Sequence, residues 1–170
     1  MTSAATVKLA YYTDVLCVWA YVSEIRLAEL RHTFGERLAV SHHYLPLFGA
    51  TARRIGEGWA AKGGWAGFGD HVLAVCRDFP HVQVHPQVWR ATRPVSSGPA
   101  HLVLKALQLN DPAGTLIGAV DWAIRLAFFR DNRDIGRLPV LLDVAQEAGA
   151  EPAALRQAID DGSAMAALCR

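Results

Sequence analysis

Cys17 is the residue whose type and setting point to chemistry. It lies in the stretch Asp14-Val15-Leu16-Cys17-Val18-Trp19-Ala20-Tyr21, just past a strand-like run and at the start of a helical one. Backbone N–H groups in a first helical turn lack intrahelical acceptors, and the helix dipole is positive there. Both stabilise a thiolate, and cysteines in such settings fall from a pKa of about 8.5 to roughly 3.5–7.5. A thiolate populated at neutral pH is the nucleophile of thiol–disulfide exchange and of thiol conjugation. Free cysteines more often act as small buried hydrophobes, but the strand-to-helix junction favours the reactive reading here.

The other two thiols read differently. Cys76 falls mid-helix among Val72, Leu73 and Val75, a core position, and Cys169 stands at the chain end, where a structural or incidental role outweighs a resolving one. An odd count and wide spacing argue against a disulfide framework.

The elements that must position Cys17 are legible nearby. Val7–Tyr12 has strand length and composition, and Thr13 and Asp14 follow as turn residues. Apolar residues at Val18, Val22, Ile25, Leu27, Leu30 and Phe34, with Glu24, Arg26, Glu29 and Arg31 largely between them, predict an amphipathic helix stopped by Gly35. Leu38–Leu45 alternates as a strand and ends at Pro46, which completes a βαβ unit with parallel strands. The segment Phe48–Gly69 holds seven glycines and little periodicity, so it reads as an irregular surface excursion. A helix is expected over Trp65–Phe79, closed by Pro80, and a short extended piece over His81–Pro86. The remainder predicts helices: one opened by Pro99, one started by Asp111-Pro112 and carrying Leu116 to Phe128, and one around Leu138–Ala145. Pro152 opens a fourth, and Ser163 caps a fifth.

The pattern strand–Asp-x-x-Cys-x-Trp-x-Tyr–helix resembles the DsbA-like thioredoxin family. It is most similar to the branch that groups FrnE-type proteins, 2-hydroxychromene-2-carboxylate isomerases and kappa-class glutathione transferases. Ser96-Ser97-Gly98-Pro99-Ala100-His101 and Asp131–Gly149 resemble that branch's helical insertion. The resemblance implies an α/β fold: a thioredoxin-like βαβ unit over 1–46, a large all-helical insertion over 47–162, and the start of a returning helix over 163–170. It also implies that related chains continue into two strands and a cis-proline loop, so the C-terminal thioredoxin half is expected to be missing here. Residue by residue, Cys17 matches the nucleophile that begins the family's Cys-x-x-Cys. Asp14, Trp19, Tyr21 and His101 become candidate substrate-binding residues, although Asp14 could simply end the strand and the two aromatics could fill the helix–sheet interface. Ala20 stands where the dithiol form has its second cysteine.

Three functions are compatible with these residues. The first is a monothiol thiol–disulfide oxidoreductase acting on small thiols and disulfides or on protein disulfides. In the second, a glutathione-dependent isomerase or transferase, Cys17 would hold and activate the glutathione sulfur. The third is a non-catalytic thioredoxin-fold binding domain. No cofactor is required in any of them, with glutathione a candidate co-substrate, and open strand edges favour a homodimer.

Other candidates carry less. His42 and His43 are adjacent on a strand and point to opposite faces, His81 and His85 lack a third ligand, and no metal site is expected. The glycines of 56–69 lack the preceding strand and the Lys-Ser/Thr of a phosphate loop. Arg53 and Arg54 read as solvated, at a place where an acidic thiol would approach. The 52% apolar and 19% charged composition describes a globular chain. Seventeen basic against sixteen acidic residues, spread along the sequence, supply no basic stripe for nucleic acid or an anionic membrane. No apolar run approaches the roughly 20 residues of a membrane span. Met1–Val7 lacks the charge and apolar length of a secretory signal, so a cytoplasmic location is expected.

Overall fold

The computed structural model of the protein describes residues 6–170. Strands β1 (Val7–Thr13) and β2 (Leu38–Tyr44) pair in parallel, with Val7 opposite Leu38 and Thr13 opposite Tyr44. Parallel neighbours need a crossover, and helix α1 (Val18–Phe34) supplies it, ending at Gly35 with φ 50°. Strand alternation sends Thr13, His42 and Tyr44 into the interior. Tyr12 and His43 stack on the opposite face with ring centroids 4.8 Å apart.

Helices α2 (Gly64–Arg77), α3 (Gly98–Asn110), α4 (Ile117–Phe129), α5 (Leu138–Glu147), α6 (Pro152–Asp160) and α7 (Ser163–Leu168) follow. Proline occupies one of the first two positions of α3, α5 and α6, where its missing N–H costs nothing and its fixed φ suits the helix. α3 packs on α6 and α7, and α4 on α5. Their buried side chains, including Leu104, Ile124, Phe128, Leu141 and Leu155, continue into those of the loop before α1.

Four sequence expectations are corrected. The predicted stripe of α1 is buried only at Val18, Tyr21, Val22 and Leu27, whereas Ile25, Leu30 and Phe34 are 38–50% exposed. A two-stranded sheet, with strands about 4.8 Å apart, covers only one narrow side of the helix and leaves part of the predicted stripe open. The glycine-rich segment is not a surface excursion throughout. It forms a π-helical stretch (Ala52–Glu57) and a 3₁₀ turn (Ala60–Lys62), and it buries Phe48, Ile55 and Phe68. Asp111-Pro112 does not begin α4. The Asp111 carboxylate accepts from Leu116 N–H at 2.7 Å and from Thr115 Oγ1, which folds a turn and delays the helix to Ile117. Ser163 is the first residue of α7 rather than its cap. Gly162 holds that position with φ 80°, and the Asp161 carboxylate takes the Ser163 N–H.

A polar layer lies between α1 and β2. Glu24 is pushed up to about 7 by burial and by the nearby Asp121 carboxylate, and its Oε1 lies 3.6 Å from Arg31 Nη1. His42, whose Nε2 lies 3.1 Å from Arg31 Nη2, is pushed down to about 4 by burial. The two act oppositely on stability. Folding raises the Glu24 pKa from 4.5, so its contribution is lost as pH rises from about 4.5 through about 7. Folding lowers the His42 pKa from 6.5, so its contribution is lost as pH falls from about 6.5 through about 4. The slopes offset one another between those limits. Glu24→Gln should therefore be more stable than wild type by about 2–3 kcal/mol at pH 8, and should expose a steep loss of stability below pH 6.5. Urea unfolding at pH 5, 6.5 and 8 checks this, and parallel profiles for the two proteins would refute it.

Candidate active site

Asp14 builds the turn that presents Cys17. Its carboxylate is fully buried. Oδ1 accepts from Leu16 N–H at 2.8 Å, and Oδ2 accepts from Phe48 N–H at 2.9 Å and Ser97 Oγ–H at 2.8 Å. One side chain thus ties the loop before α1 to the segment after β2 and to the start of α3. The backbone of the same residue is also held. Asp14 C=O accepts from Cys17 N–H at 3.1 Å and from Arg125 Nη1 at 3.1 Å.

Arg125, on α4, is completely buried. Its Nη2 donates to Thr13 Oγ1 at 2.9 Å and its Nε to Asp121 Oδ2 at 2.9 Å. Burial works against its charge, but the Asp121 carboxylate more than offsets this and holds Arg125 above the ordinary arginine range. His101, on α3, stacks on Tyr44 with centroids 5.2 Å apart and accepts from Val15 N–H at 3.4 Å through Nε2. Burial pushes His101 below the usual histidine range. The same Nε2 that accepts from Val15 N–H lies 3.8 Å from Asp14 Oδ1.

On this base Cys17 occupies the cap position of α1, with extended backbone at φ −79° and ψ 116°. No side-chain oxygen caps the helix, and no acidic residue lies in its first turn. The first-turn N–H groups and the positive helix end are therefore left to the sulfur and whatever binds beside it. Cys17 is partly exposed and opens into a cavity of about 350 Å³ that is also lined by Trp19, Phe48, Arg54, Trp59, Phe68 and His71. Trp59 and Phe68 meet edge to face at 5.0 Å, and Arg54 stacks over Phe48 at 4.7 Å. Behind this wall Trp89 stacks on Phe48 at 5.8 Å and meets Phe128 edge-on at 4.8 Å. Its turn approaches α2 at Gly69, where a Cβ would lie 2.6 Å from Val88 C=O.

The sequence candidates thus fall into three places. Cys17 and Trp19 share the cavity. Asp14 and His101 lie beneath it, as supports of the loop and not as its lining. Tyr21 points the other way: fully buried, it stacks on Phe129 at 4.6 Å and donates to Gln83 C=O at 2.8 Å, and burial pushes its hydroxyl up to about 12. That is a packing position outside the cavity lining. Arg125, Trp59 and His71 were not singled out by the sequence, Ser97 entered only within the motif that opens α3, and Arg54, read as solvated but near an approaching acidic thiol, stands in the cavity wall. Cys76 is buried and pushed up to about 11 by that burial, whereas Cys169 is exposed. His42 and His43 point to opposite faces, and His81 is bonded to Val22 C=O. Among the described residues no cluster of ligands suits a metal ion, and no helix is long and apolar enough to cross a membrane.

No protein-family model and no curated protein matches this sequence. Solved structures do resemble it. A protein assigned as a candidate disulfide isomerase from Nitrosomonas europaea superposes with a TM-score of 0.72 at 16% identity, covering 96% of this chain and 75% of that one. The cytosolic disulfide reductase DsbM of Pseudomonas aeruginosa, solved with GSH, gives 0.68 at 23% identity, covering 96% and 76%. A DsbA-type oxidoreductase of Streptomyces coelicolor gives 0.66 at 19% identity, covering 92% and 69%. A βαβ unit with its cysteine at the helix start, followed by packed helices and superposing on these three, identifies the chain as having the DsbA-like thioredoxin fold with a helical insertion.

Proposed function

We propose that the protein is a thiol–disulfide oxidoreductase of monothiol type, with Cys17 as its nucleophile. The observation that carries this reading is the uncapped start of α1. A partly exposed sulfur sits where a capping oxygen would be, beside free N–H groups and a cavity. In the reaction the Cys17 thiolate attacks one sulfur of a disulfide. A new S–S bond forms to Sγ, the old one breaks, and the leaving thiolate carries away the electron pair and takes a proton from water. A second thiol then attacks the mixed disulfide and returns Cys17 to its reduced state. Ala20 provides no resolving sulfur one helical turn away, so that thiol comes from solution. Glutathione fits this role, and the presence of GSH in the DsbM structure supports it as co-substrate. A cytoplasmic setting, where such thiols are kept reduced, suits the cycle. The isomerase or transferase reading uses the same cysteine and the same cavity without requiring a disulfide.

Competitive labelling tests the assignment. With limiting iodoacetamide at pH 7, followed by peptide mapping, Cys17 should label about tenfold faster than exposed Cys169, and buried Cys76 should stay unlabelled until the protein unfolds. Equal rates at Cys17 and Cys169 would count against Cys17 as an activated thiol.

A further inference from the structure

The cavity beside Cys17 has a sign. Arg54 is its one fully charged lining residue among the described residues, His71 is its second polar edge, and no carboxylate lines it. Six arginines elsewhere (Arg31, Arg90, Arg125, Arg130, Arg133 and Arg156) are paired with acidic side chains; Arg54 is one of those that are not, and it is the one that lines this cavity. Arg54 has no such partner among the described residues; its guanidinium rests on the Phe48 ring at 4.7 Å, which fixes the plane and leaves the N–H fork unspent. Its backbone is fixed as well. Arg54 belongs to the π-helical stretch Ala52–Glu57, a rare geometry that is frequent at functional sites. That stretch closes at Gly58, where a Cβ would stand 2.5 Å from Arg54 C=O, so only glycine permits the turn.

We propose that Arg54 is the specificity-determining residue of this site and selects small anionic disulfides by holding a substrate carboxylate while Cys17 engages the neighbouring sulfur. The proposal rests on the reading of Cys17 as an exchanging thiol. A guanidinium without an acidic partner, in a cavity lined otherwise by Trp19, Phe48, Trp59 and Phe68, offers a planar two-toothed contact to a carboxylate. It repels a cationic substrate by the same charge. The aromatic rings supply apolar contact for the substrate's sulfur-bearing carbons. Atoms and electrons balance as in ordinary exchange: Cys17 Sγ forms the mixed disulfide with one half of the substrate, and the other half departs as its thiolate.

Three disulfides of matched chemistry and different charge test this. Rates of mixed-disulfide formation are read by intact mass for oxidised glutathione (anionic), hydroxyethyl disulfide (neutral) and cystamine (cationic), in wild type and in Arg54→Gln, Arg54→Lys and Arg54→Glu. Wild type should prefer oxidised glutathione. Arg54→Gln should lower the ratio of the oxidised-glutathione rate to the hydroxyethyl disulfide rate by about tenfold, Arg54→Lys should restore much of it, and Arg54→Glu should place cystamine ahead of oxidised glutathione. Ratios within twofold of wild type in both Arg54→Gln and Arg54→Glu would overturn the charge selection while leaving Cys17 as the exchanging thiol. No adduct with any of the three compounds in wild type would overturn both readings together.

Discussion

Arg125→Ala should lose about 3–5 kcal/mol of folding stability, the cost of leaving a buried charge without its partner. The guanidinium is fully buried, and its removal abandons Asp121, itself buried, together with Thr13 Oγ1 and Asp14 C=O. A domain of this size has about 5–15 kcal/mol to lose, so the variant gives up a large share of its stability. The loss comes from the orphaned carboxylate more than from the ion pair itself. A double variant, Arg125→Met with Asp121→Leu, removes both charges and should recover most of the stability. It should not recover the geometry of the Cys17 loop, because Asp14 C=O and Thr13 Oγ1 still lack their donor. Urea unfolding measures the first effect, and the labelling rate of Cys17 in the double variant measures the second. A single variant that loses less than about 1 kcal/mol, the size of an exposed pair, would refute the role given to Arg125.

The second large effect concerns chemistry. Cys17→Ala should reduce glutathione-dependent reduction of hydroxyethyl disulfide to the uncatalysed rate, because no other thiol shares the cavity. Cys76→Ala and Cys169→Ala should keep the activity: Cys76 is buried in α2, and Cys169 follows α7 at the chain end. The reverse change is as informative. Ala20→Cys puts a second sulfur one turn along α1 from the first, and should convert the mixed disulfide into an internal disulfide that releases glutathione without help from solution. Persistence of the glutathione adduct in Ala20→Cys would show that the two sulfurs do not meet.

The contrast between local and distant contacts explains what the sequence made legible. The strand–turn–helix around Cys17 is local: the turn residue Asp14 bonds Leu16 two positions on, and α1 begins at Val18 beside the expected position. The alternation of β2 likewise set His42 and His43 on opposite faces, and the structure buries His42 with Tyr44. The supports of the site are not local. Arg125 reaches Asp14 across 111 positions and Ser97 reaches it across 83, on helices whose periodicity marks them only as amphipathic. Arg125 falls on a buried face of α4, and a charge there is a signal of a buried partner, but one sequence does not say which. The cavity wall was hidden for another reason. Its glycines read as irregularity, whereas Gly58 and Gly69 are places where backbone must approach backbone, so the same residues that erase periodicity build the compact π-turn and the seat of Trp89. Trp19 and Tyr21, two positions apart on α1, illustrate the limit of motif matching. One is 55% exposed at the cavity, and the other is fully buried against Phe129.

Intact-mass measurement after incubation with oxidised glutathione shows whether Cys17 is an accessible exchanging thiol. The protein should gain one glutathione, and Cys17→Ala should gain none under the same conditions. An adduct of equal extent in the two proteins, or no adduct in wild type, would mean that Cys17 is not the exchanging thiol.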